Sequence, residues 1–288
     1  MWQTIQRSIL VLGLGIAGSA QAQAQTAPQP PVGLVDDPCI GAPQITPGLE
    51  RYRQSLFDRS PGAKIVPPPA AEVEAYKLAQ AEQVKRDWAG LCRYRADNAR
   101  VAARPAAERR IVFMGDSITE NWSVAHPDFF ANGAINRGIS GQTTPQMLVR
   151  FEADVVALRP KAVHIMAGTN DLAGNTGPTT MRDIQNNIIA MIALAKANGI
   201  RVFLASTPPA GSFSWRPGLK PAAQIIQLND WLRGYARRVG ATYLDYHAAL
   251  ATSDGALKRE LSPDGVHPNN DGYAVMEPIT RRAISLLR

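Results

Sequence analysis

The sequence predicts an α/β fold in which a parallel sheet of about five strands carries helices on both faces. Two observations support this prediction. From residue 111 onward, short apolar runs alternate with longer stretches whose apolar residues recur at helical spacing. The short runs are apolar at nearly every position, as expected of parallel strands that are buried on both faces. Regular alternation of strands and helices is typical of such sheets.

The first half of this region predicts three strands. Residues 111–114, Ile-Val-Phe-Met, form the first strand, and residues 134–136 form a short second one. A helix over residues 144–158 follows, with Pro145 in its first turn, where the missing N–H has no cost. Residues 162–167 form the third strand.

The second half continues the same alternation to the end of the chain. Its elements are a helix, a strand, a helix, a strand and a closing helix, at residues 180–198, 201–206, 221–239, 242–245 and 270–287. Gly199 and Gly240 follow the first two of these helices. Glycine adopts the left-handed conformation that commonly ends a helix, so both boundaries are well marked.

Three segments are predicted along the chain: a secretory signal at residues 1–24, an extension at 25–105 and a single domain at 106–288. The signal has one positive charge, an apolar stretch too short to span a bilayer, and small residues in an Ala-x-Ala pattern at its end. An uncleaved anchor is the alternative. We expect a periplasmic or extracellular protein without stable membrane insertion, since no later apolar run is long enough for a membrane helix.

The extension joins a Pro- and Gln-rich leader over residues 27–48 to a helical pattern over residues 70–98. Apolar residues recur in this pattern at helical spacing: Val84, Trp88, Leu91 and Cys92. The pattern predicts a helix with one apolar face packed on the main domain, and homodimer formation through the same segment remains open.

Cys39 and Cys92 are the two cysteines of the chain. Export and an even cysteine count together predict a disulfide. By restricting the unfolded chain, it would raise the free energy of unfolding by about 4 kcal/mol. Two separate buried thiols are the alternative, because the sequence does not give the distance between the two α-carbons.

The net charge is +7, or +6 after Arg7 leaves with the signal. The basic residues are scattered and are not interleaved with the aromatic residues on which nucleic-acid bases would stack. A solvated basic surface is therefore predicted, and a nucleic-acid partner is not. Weak attraction to acidic glycans or anionic lipids remains open.

One short string places a serine where α/β sheets hold their ligands. Gly115-Asp116-Ser117-Ile118 directly follows the first strand, and ligands of open parallel sheets bind beyond the carboxyl ends of the strands. A serine hydroxyl needs a base to become a good nucleophile. The string is not the Gly-x-Ser-x-Gly elbow of α/β-hydrolases, because Thr119 occupies the second glycine position.

A second string, Asp264-Gly265-Val266-His267-Pro268, offers the base. Asp264 can accept a hydrogen bond from His267 Nδ1 and leave Nε2 free to take a proton. A plain turn that caps the following helix is the alternative for this string.

A serine nucleophile, a histidine base and an orienting acid are the groups needed for acyl transfer. This reaction also needs hydrogen-bond donors for the negative oxygen that develops in it. Gly138, after the second strand, is a candidate through its backbone N–H, and Asn170, after the third, through its side-chain amide. An ordinary turn is the alternative at each position.

Taken together, these strings resemble the GDSL family of esterases and lipases, the SGNH hydrolases, from residue 111 to the C-terminus. Residues 115–118 are similar to the first family block, with Ile118 where Leu is usual, and Gly138 to the glycine of the second. Residues 168–171, Gly-Thr-Asn-Asp, match the third block, and residues 264–268 match the last.

The resemblance implies a flavodoxin-like three-layer α/β/α sandwich that needs no metal and no organic cofactor. It implies that Ser117 is the nucleophile and that His267 is the base, oriented by Asp264. The N–H groups of Ser117 and Gly138 and the amide of Asn170 would form the oxyanion hole.

The substrate is expected to be a small-molecule or glycan ester with a short acyl group, such as acetyl. Trp122 is a candidate for lining the substrate pocket, with a core position as the alternative. Trp215, in the loop at residues 208–220, is a candidate for stacking on a sugar, with a packed loop as the alternative.

Three other functions compete with this expectation. One is a lipase or lysophospholipase on the same site, although no apolar lid is evident. Another is a metal-dependent phosphoesterase, for which Asp245 and His247 offer an Asp-x-His pair but too few further ligands. The third is a glycan-binding module without catalysis.

Overall fold

The computed structural model describes residues 33–285 and 287. The chain divides into two compact units, Met1–Gly41 and Ala42–Arg288. Residues 33–41 contain turns and bends without a helix or strand. The predicted signal at residues 1–24 lies outside the described residues. Both cysteines are disulfide-bonded, which confirms the predicted disulfide.

Five parallel strands form the central sheet of the larger unit. They are β1 (Ile111–Gly115), β2 (Ala134–Gly138), β3 (Ala162–Met166), β4 (Arg201–Ala205) and β5 (Thr242–Leu244). Their order across the sheet is β2-β1-β3-β4-β5, the flavodoxin-like order. The predicted parallel sheet is confirmed. The point where the chain changes direction across the sheet lies between β1 and β3, so a ligand site is expected there.

The α-helices of the described residues are α1 (Pro47–Ser55), α2 (Ala70–Arg86), α3 (Arg95–Ala102), α4 (Ser117–Ala125), α5 (Pro127–Phe130), α6 (Thr144–Asp154), α7 (Thr169–Leu172), α8 (Met181–Ala197), α9 (Ala222–Val239), α10 (Tyr246–Leu250) and α11 (Asn270–Ile284). Pro145 lies in the first turn of α6, as predicted. Gly199 and Gly240 have positive φ angles of 69° and 70° beyond the ends of α8 and α9. Within the part of the chain that the structure describes, none of the helices could cross a membrane.

Two cores, one on each face of the sheet, confirm the three-layer sandwich. Alternate residues of β1 point to opposite faces: Val112 and Met114 belong to one core, and Ile111 and Phe113 to the other. The first core packs against α6, α8 and α9, and the second against α4, α10 and α11. Every residue of β1 is buried, which explains its uniformly apolar sequence.

The helix predicted over residues 70–98 is instead two helices, α2 and α3, separated by a turn. The Asp87 carboxylate accepts hydrogen bonds from the N–H groups of Leu91 (2.7 Å) and Cys92 (2.8 Å) and so stabilises the turn. The predicted apolar face is wrong: no residue of α2 is buried, and Val84, Trp88 and Leu91 are exposed.

The helix α1 lies at the end of the segment predicted as a leader. It begins after Thr46, whose hydroxyl accepts a hydrogen bond from the Leu49 N–H, and Pro47 occupies its first turn. These start signals were present in the sequence, but the short and mostly polar helix lacks the apolar period that would identify it.

Candidate active site

Ser117 lies at the junction of β1 and α4. It is the first residue of the helix, and the Asp116 side chain caps that helix by accepting a hydrogen bond from the Ile118 N–H (3.0 Å). Asp116 and Ile118 are buried, whereas Ser117 is partly exposed. The strand-to-helix junction therefore presents one hydroxyl at the carboxyl edge of the sheet.

Ser117, His267 and Asp264 form one hydrogen-bonded chain. Ser117 Oγ lies 2.9 Å from His267 Nε2, and His267 Nδ1 lies 2.7 Å from Asp264 Oδ2. The other carboxylate oxygen, Asp264 Oδ1, accepts the N–H groups of Val266 (2.9 Å) and His267 (2.8 Å). Asp264 thus both stabilises the turn and orients the ring, whereas the following helix α11 is capped by Asn269.

The hydrogen bond between Asp264 and His267 changes the pKa of both groups. Burial disfavours the charged ring, but the hydrogen bond and the negative charge of Asp264 outweigh it and raise the pKa of His267. Burial acts to raise the pKa of Asp264 as well, yet hydrogen bonds and charge from His267 hold it well below its usual range. The arrangement favours an ionised acid beside a histidine that takes up a proton readily.

Asn170 lies in α7, which directly follows β3, and it is buried. Its Nδ2 donates to the carbonyl of Gln142 (3.1 Å) and lies 3.3 Å from Asp116 Oδ2, whereas its Oδ1 accepts a hydrogen bond from Asn175 Nδ2 (2.8 Å). These contacts fix the orientation of the amide, with the NH2 group directed toward the residues after β1 and β2.

Gly138 does not offer the free N–H that was predicted for it. Its N–H donates to Asn136 Oδ1 at 2.8 Å, and the residue is buried at the end of β2. A Cβ atom there would overlap the backbone nitrogen of Glu120 and lie 2.7 Å from the carbonyl oxygen of Asp116. Glycine is needed at this position because β2 and α4 approach closely.

Gly141 lies three residues further, in the loop of residues 139–142, which we call the β2 loop. It has a φ of 79° and is exposed, and its carbonyl accepts a hydrogen bond from Asn175 Nδ2 (3.2 Å). Among the described residues, none accepts a hydrogen bond from the Gly141 N–H. The next carbonyl, of Gln142, holds Asn170, so this peptide lies beside the Asn170 amide.

Glu120 holds the β2 loop in place. One carboxylate oxygen accepts hydrogen bonds from the Ser140 N–H (2.8 Å) and hydroxyl (2.6 Å), and the other pairs with Arg93 (2.7 Å). Burial acts to raise the pKa of Glu120, but Arg93 and Ser140 lower it below the usual value. Glu120 and Asn175 were not predicted from the sequence. The only sequence signal for Glu120 was an acid three residues after Ser117, and Asn175 had none.

The structure separates the two tryptophans that were candidates for substrate contact. Trp122 is 0% exposed and stacks on Phe129 and Tyr273 in the core, so the prediction that it lines the pocket is wrong. Trp215 is 36% exposed, its ring centroid is 6.5 Å from that of His267, and its Nε1 donates to Asn175 Oδ1 (3.0 Å). Trp215 therefore lies at the rim of the site.

The other polar candidates have different surroundings. His164 is fully buried in β3, and burial lowers its pKa to about 3, so it is a neutral core residue. Asp245 caps α10 and pairs with Arg233 at 2.6 Å. Across residues 33–285 and 287, no three His, Cys, Asp or Glu side chains gather in a way that could hold a metal ion.

Comparison with protein-family models gives a match over residues 113–275 to the GDSL-like Lipase/Acylhydrolase family. The chain belongs to this family. The matched region contains Ser117, Asn170, Asp264 and His267, so it includes the hydrogen-bonded chain and the buried amide described above.

Two solved structures share much of the sequence as well as the fold. A putative acylhydrolase from Bacteroides fragilis NCTC 9343 is 47% identical, with 70% of this chain and 99% of that chain covered and a TM-score of 0.68. A GDSL-like lipase from Bacteroides thetaiotaomicron VPI-5482 is 44% identical, with 68% and 98% covered and a TM-score of 0.66.

More distant similarities are limited in what they show. An acetylxylan esterase from Geobacillus stearothermophilus is 19% identical over 62% of this chain and 94% of that chain, with a TM-score of 0.51, which shows a shared fold alone. An uncharacterized lipoprotein of Bacillus subtilis (strain 168), YqeF, is 35% identical over 79 residues, so the match spans about a third of that protein (32%) and 26% of this chain.

Proposed function

We propose that this acylhydrolase is an exported serine esterase that removes short acyl groups, chiefly acetyl, from a carbohydrate. The observation that carries the proposal is the hydrogen-bonded chain Ser117–His267–Asp264 at the carboxyl edge of the sheet. It supplies a nucleophile, a base within hydrogen-bond reach and an acid that orients the base. Export is part of the proposal and rests on the predicted signal at residues 1–24.

In the first half of the reaction, Ser117 Oγ attacks the ester carbonyl carbon while His267 Nε2 takes the hydroxyl proton. The positive charge that forms on the ring is stabilised by Asp264, which remains ionised. The tetrahedral intermediate then collapses, the bond to the alcohol oxygen breaks, and His267 returns the proton to the leaving alcohol. An acyl group is left on Ser117.

In the second half, a water molecule replaces the alcohol. His267 takes a proton from the water as the water oxygen attacks the acyl carbon. The second tetrahedral intermediate then collapses: its bond to Ser117 Oγ breaks, the acid leaves, and His267 returns the proton to Oγ. The raised pKa of His267 suits its role as the base, because the ring accepts a proton more readily than an isolated histidine.

The oxyanion donors we propose are the N–H groups of Ser117 and Gly141 and the amide of Asn170. Gly141 replaces the predicted Gly138, whose N–H is already bonded to Asn136. The Asn170 amide is held in the free enzyme by Gln142 and Asn175, which supports a site organised before substrate arrives. Its second N–H makes a long contact of 3.3 Å with Asp116 Oδ2, and we propose that this hydrogen turns to the oxyanion when substrate binds.

The proposed substrate class is inferred from the aromatic residues at the rim of the site. Trp215 is exposed next to His267, where an aromatic face suits the C–H face of a sugar ring. Phe213, which packs beneath it with a centroid distance of 5.0 Å, is buried and supports its position. A carbohydrate that carries a small acyl group fits this rim better than a long acyl chain does.

The proposal is tested by hydrolysis of p-nitrophenyl esters from acetyl to palmitoyl, with and without a chelator. We expect the highest kcat/KM for acetyl, no effect of the chelator, and a loss of about 10⁴-fold or more in Ser117→Ala. Ser123→Ala, a serine of the same helix whose hydroxyl bonds to the Glu120 carbonyl, is the matched control and should retain activity.

Other results would overturn the proposal in distinct ways. Full activity in Ser117→Ala would exclude the serine mechanism, and loss with the chelator would favour metal-dependent hydrolysis. A maximum at long acyl chains would identify a lipase. A folded protein that is inactive on acetylated polysaccharides as well as on all the p-nitrophenyl esters would support a binding module.

A further inference from the structure

We propose that the extension and the β2 loop together form a binding subsite for a neutral oligosaccharide, the alcohol side of the ester. The subsite is a cavity of about 600 Å³, which we call the extension cleft. One wall is α2 and the turn after it, and the other is the β2 loop. The inference rests on the proposed function, because it names what lies beyond the acyl group.

The extension is fixed to the β2 loop and to the helix that follows. Gln142 Nε2 donates to the carbonyl of Ala89 (2.6 Å), and Gln146 Nε2 donates to the carbonyl of Trp88 (2.7 Å). These amide-to-carbonyl hydrogen bonds hold the two walls of the cleft in fixed positions relative to each other. The extension is therefore a fixed wall of the cleft.

The cleft adjoins the catalytic groups because it shares residues with them. Gly141 and Asn175 line the cleft, and both contact the site: Asn175 donates to Asn170 Oδ1 (2.8 Å) and to the Gly141 carbonyl (3.2 Å). Trp215 also bonds to Asn175. A sugar chain on the Trp215 rim could thus continue past Asn175 into the cleft.

The chemistry of the cleft suits a sugar. Residues of α2 that line it recur at helical spacing: Tyr76, Gln80, Gln83 and Val84. This face of α2 lines the cleft, although no residue of the helix is buried. Trp88 adds an aromatic side chain that is 43% exposed. Sugar rings offer apolar C–H faces to aromatic groups and hydroxyl groups to amides.

The charges in the cleft favour a neutral sugar over a uronate, a phosphate or a sulfate. Among the described residues that line it, Arg93 is the one cation, and it is paired with Glu120 at 2.7 Å. The Asp87 carboxylate is occupied by two N–H groups of its own turn. The described residues that line the cleft therefore offer no unpaired positive charge to attract an anion. The volume lies within the ordinary range for ligand sites.

The first experiment measures binding without turnover. Ser117→Ala protein is titrated calorimetrically with xylotetraose, cellotetraose, mannotetraose and chitotetraose, each up to about 10 mM. We expect at least one to bind, and Trp88→Ala in the same background to raise its Kd about tenfold or more. Leu78→Ala, on α2 but outside the cleft and with Leu78 70% exposed, is the matched control and should leave Kd unchanged.

The subsite would be overturned if the folded protein bound none of the four sugars, or if Trp88→Ala and Gln80→Ala both left the Kd unchanged. Tighter binding of decanoate than of any sugar would also overturn it, since the cleft would then hold an acyl chain. Circular dichroism of each variant confirms that the comparison is between folded proteins.

A hydrolysis experiment separates failure of the subsite from failure of the proposed function. If p-nitrophenyl acetate is hydrolysed through Ser117 but no oligosaccharide binds, the esterase stands and the subsite is refuted. If oligosaccharides bind in the cleft but no ester is hydrolysed, the cleft is a sugar-binding site, whereas the esterase and the role of the cleft as its alcohol subsite are refuted. If both hold, Trp88→Ala should raise KM for the acetylated form of the bound oligosaccharide far more than for p-nitrophenyl acetate.

Discussion

Glu120→Gln is a change of one atom that tests how the β2 loop is held. Glutamine keeps the size of glutamate but loses its charge, and its one oxygen cannot serve both Ser140 and Arg93. We expect lower stability together with lower activity, because the β2 loop carries the Gly141 amide that we assign to the oxyanion hole.

The magnitude follows from the hydrogen bonds that Glu120 accepts. The bonds from the Ser140 N–H, the Ser140 hydroxyl and Arg93 are all 2.8 Å or shorter. A hydrogen bond to a charged group contributes about 1 kcal/mol more than a neutral one, so the three together predict a loss of about 3 kcal/mol. Arg93 is partly exposed, and water therefore screens its share.

Thermal unfolding at neutral pH measures this loss. For a domain of this size, about 3 kcal/mol corresponds to a fall in Tm of about 6–12 °C. The folded pKa of Glu120 is lowered, so its contribution is fully present above the ordinary value of 4.5 and is lost as the pH falls through the lowered value. The difference in Tm should shrink accordingly in acid.

Activity on p-nitrophenyl acetate provides the second measurement. A shift of the β2 loop by about 1 Å would lower kcat up to about 100-fold. Glu152→Gln, an exposed acid of α6, is the matched control and should change neither quantity. If Glu120→Gln unfolds at the wild-type temperature with wild-type kcat, the carboxylate does not hold the loop and the reasoning is refuted.

Two further predictions concern the base and the glycine beneath the site. Asp264→Asn should lower kcat by about 10³–10⁴-fold. It should also move the acid limb of kcat/KM to lower pH, because neutral His267 is the active form and Asp264 raises its pKa; an unmoved limb in a pH-rate profile would contradict this assignment. Gly138→Ala should destabilise the protein by about 1–3 kcal/mol in urea unfolding, since its Cβ would overlap the Glu120 backbone. Gly234→Ala, in α9 with no atom near its Cβ, should instead be neutral or stabilising, and equal effects of the two would contradict the close approach of β2 and α4.

The sheet could be predicted from the sequence because its strands are buried on both faces and leave short, uniformly apolar runs. The positions of Ser117, Asn170 and His267 could be predicted for a related reason: each follows a strand or lies in a turn with its own local signal. These features depend on residues close together in the chain.

Other features depend on contacts between distant segments and left no local signal. Gly138 and Gly141 lie in one short string, and only the structure shows that the Gly138 N–H is bonded to Asn136 and that Gly138 packs against α4. Trp122 and Trp215 are equally plausible by sequence, but only one lies in a closed aromatic core. The apolar pattern over residues 84–92 misled the prediction because Val84, Trp88 and Cys92 line a cleft instead of a core.

The nucleophile and the base come from opposite ends of the domain, 150 positions apart in the chain. Closing a loop of this length has a large entropic cost, so we expect this contact to form late in folding. The turn that carries His267 is followed by α11, and this helix is anchored by the Tyr273 hydroxyl, which donates to the Ile118 carbonyl at 2.7 Å. We therefore expect recovery of esterase activity after denaturation to report when α11 docks on the sheet.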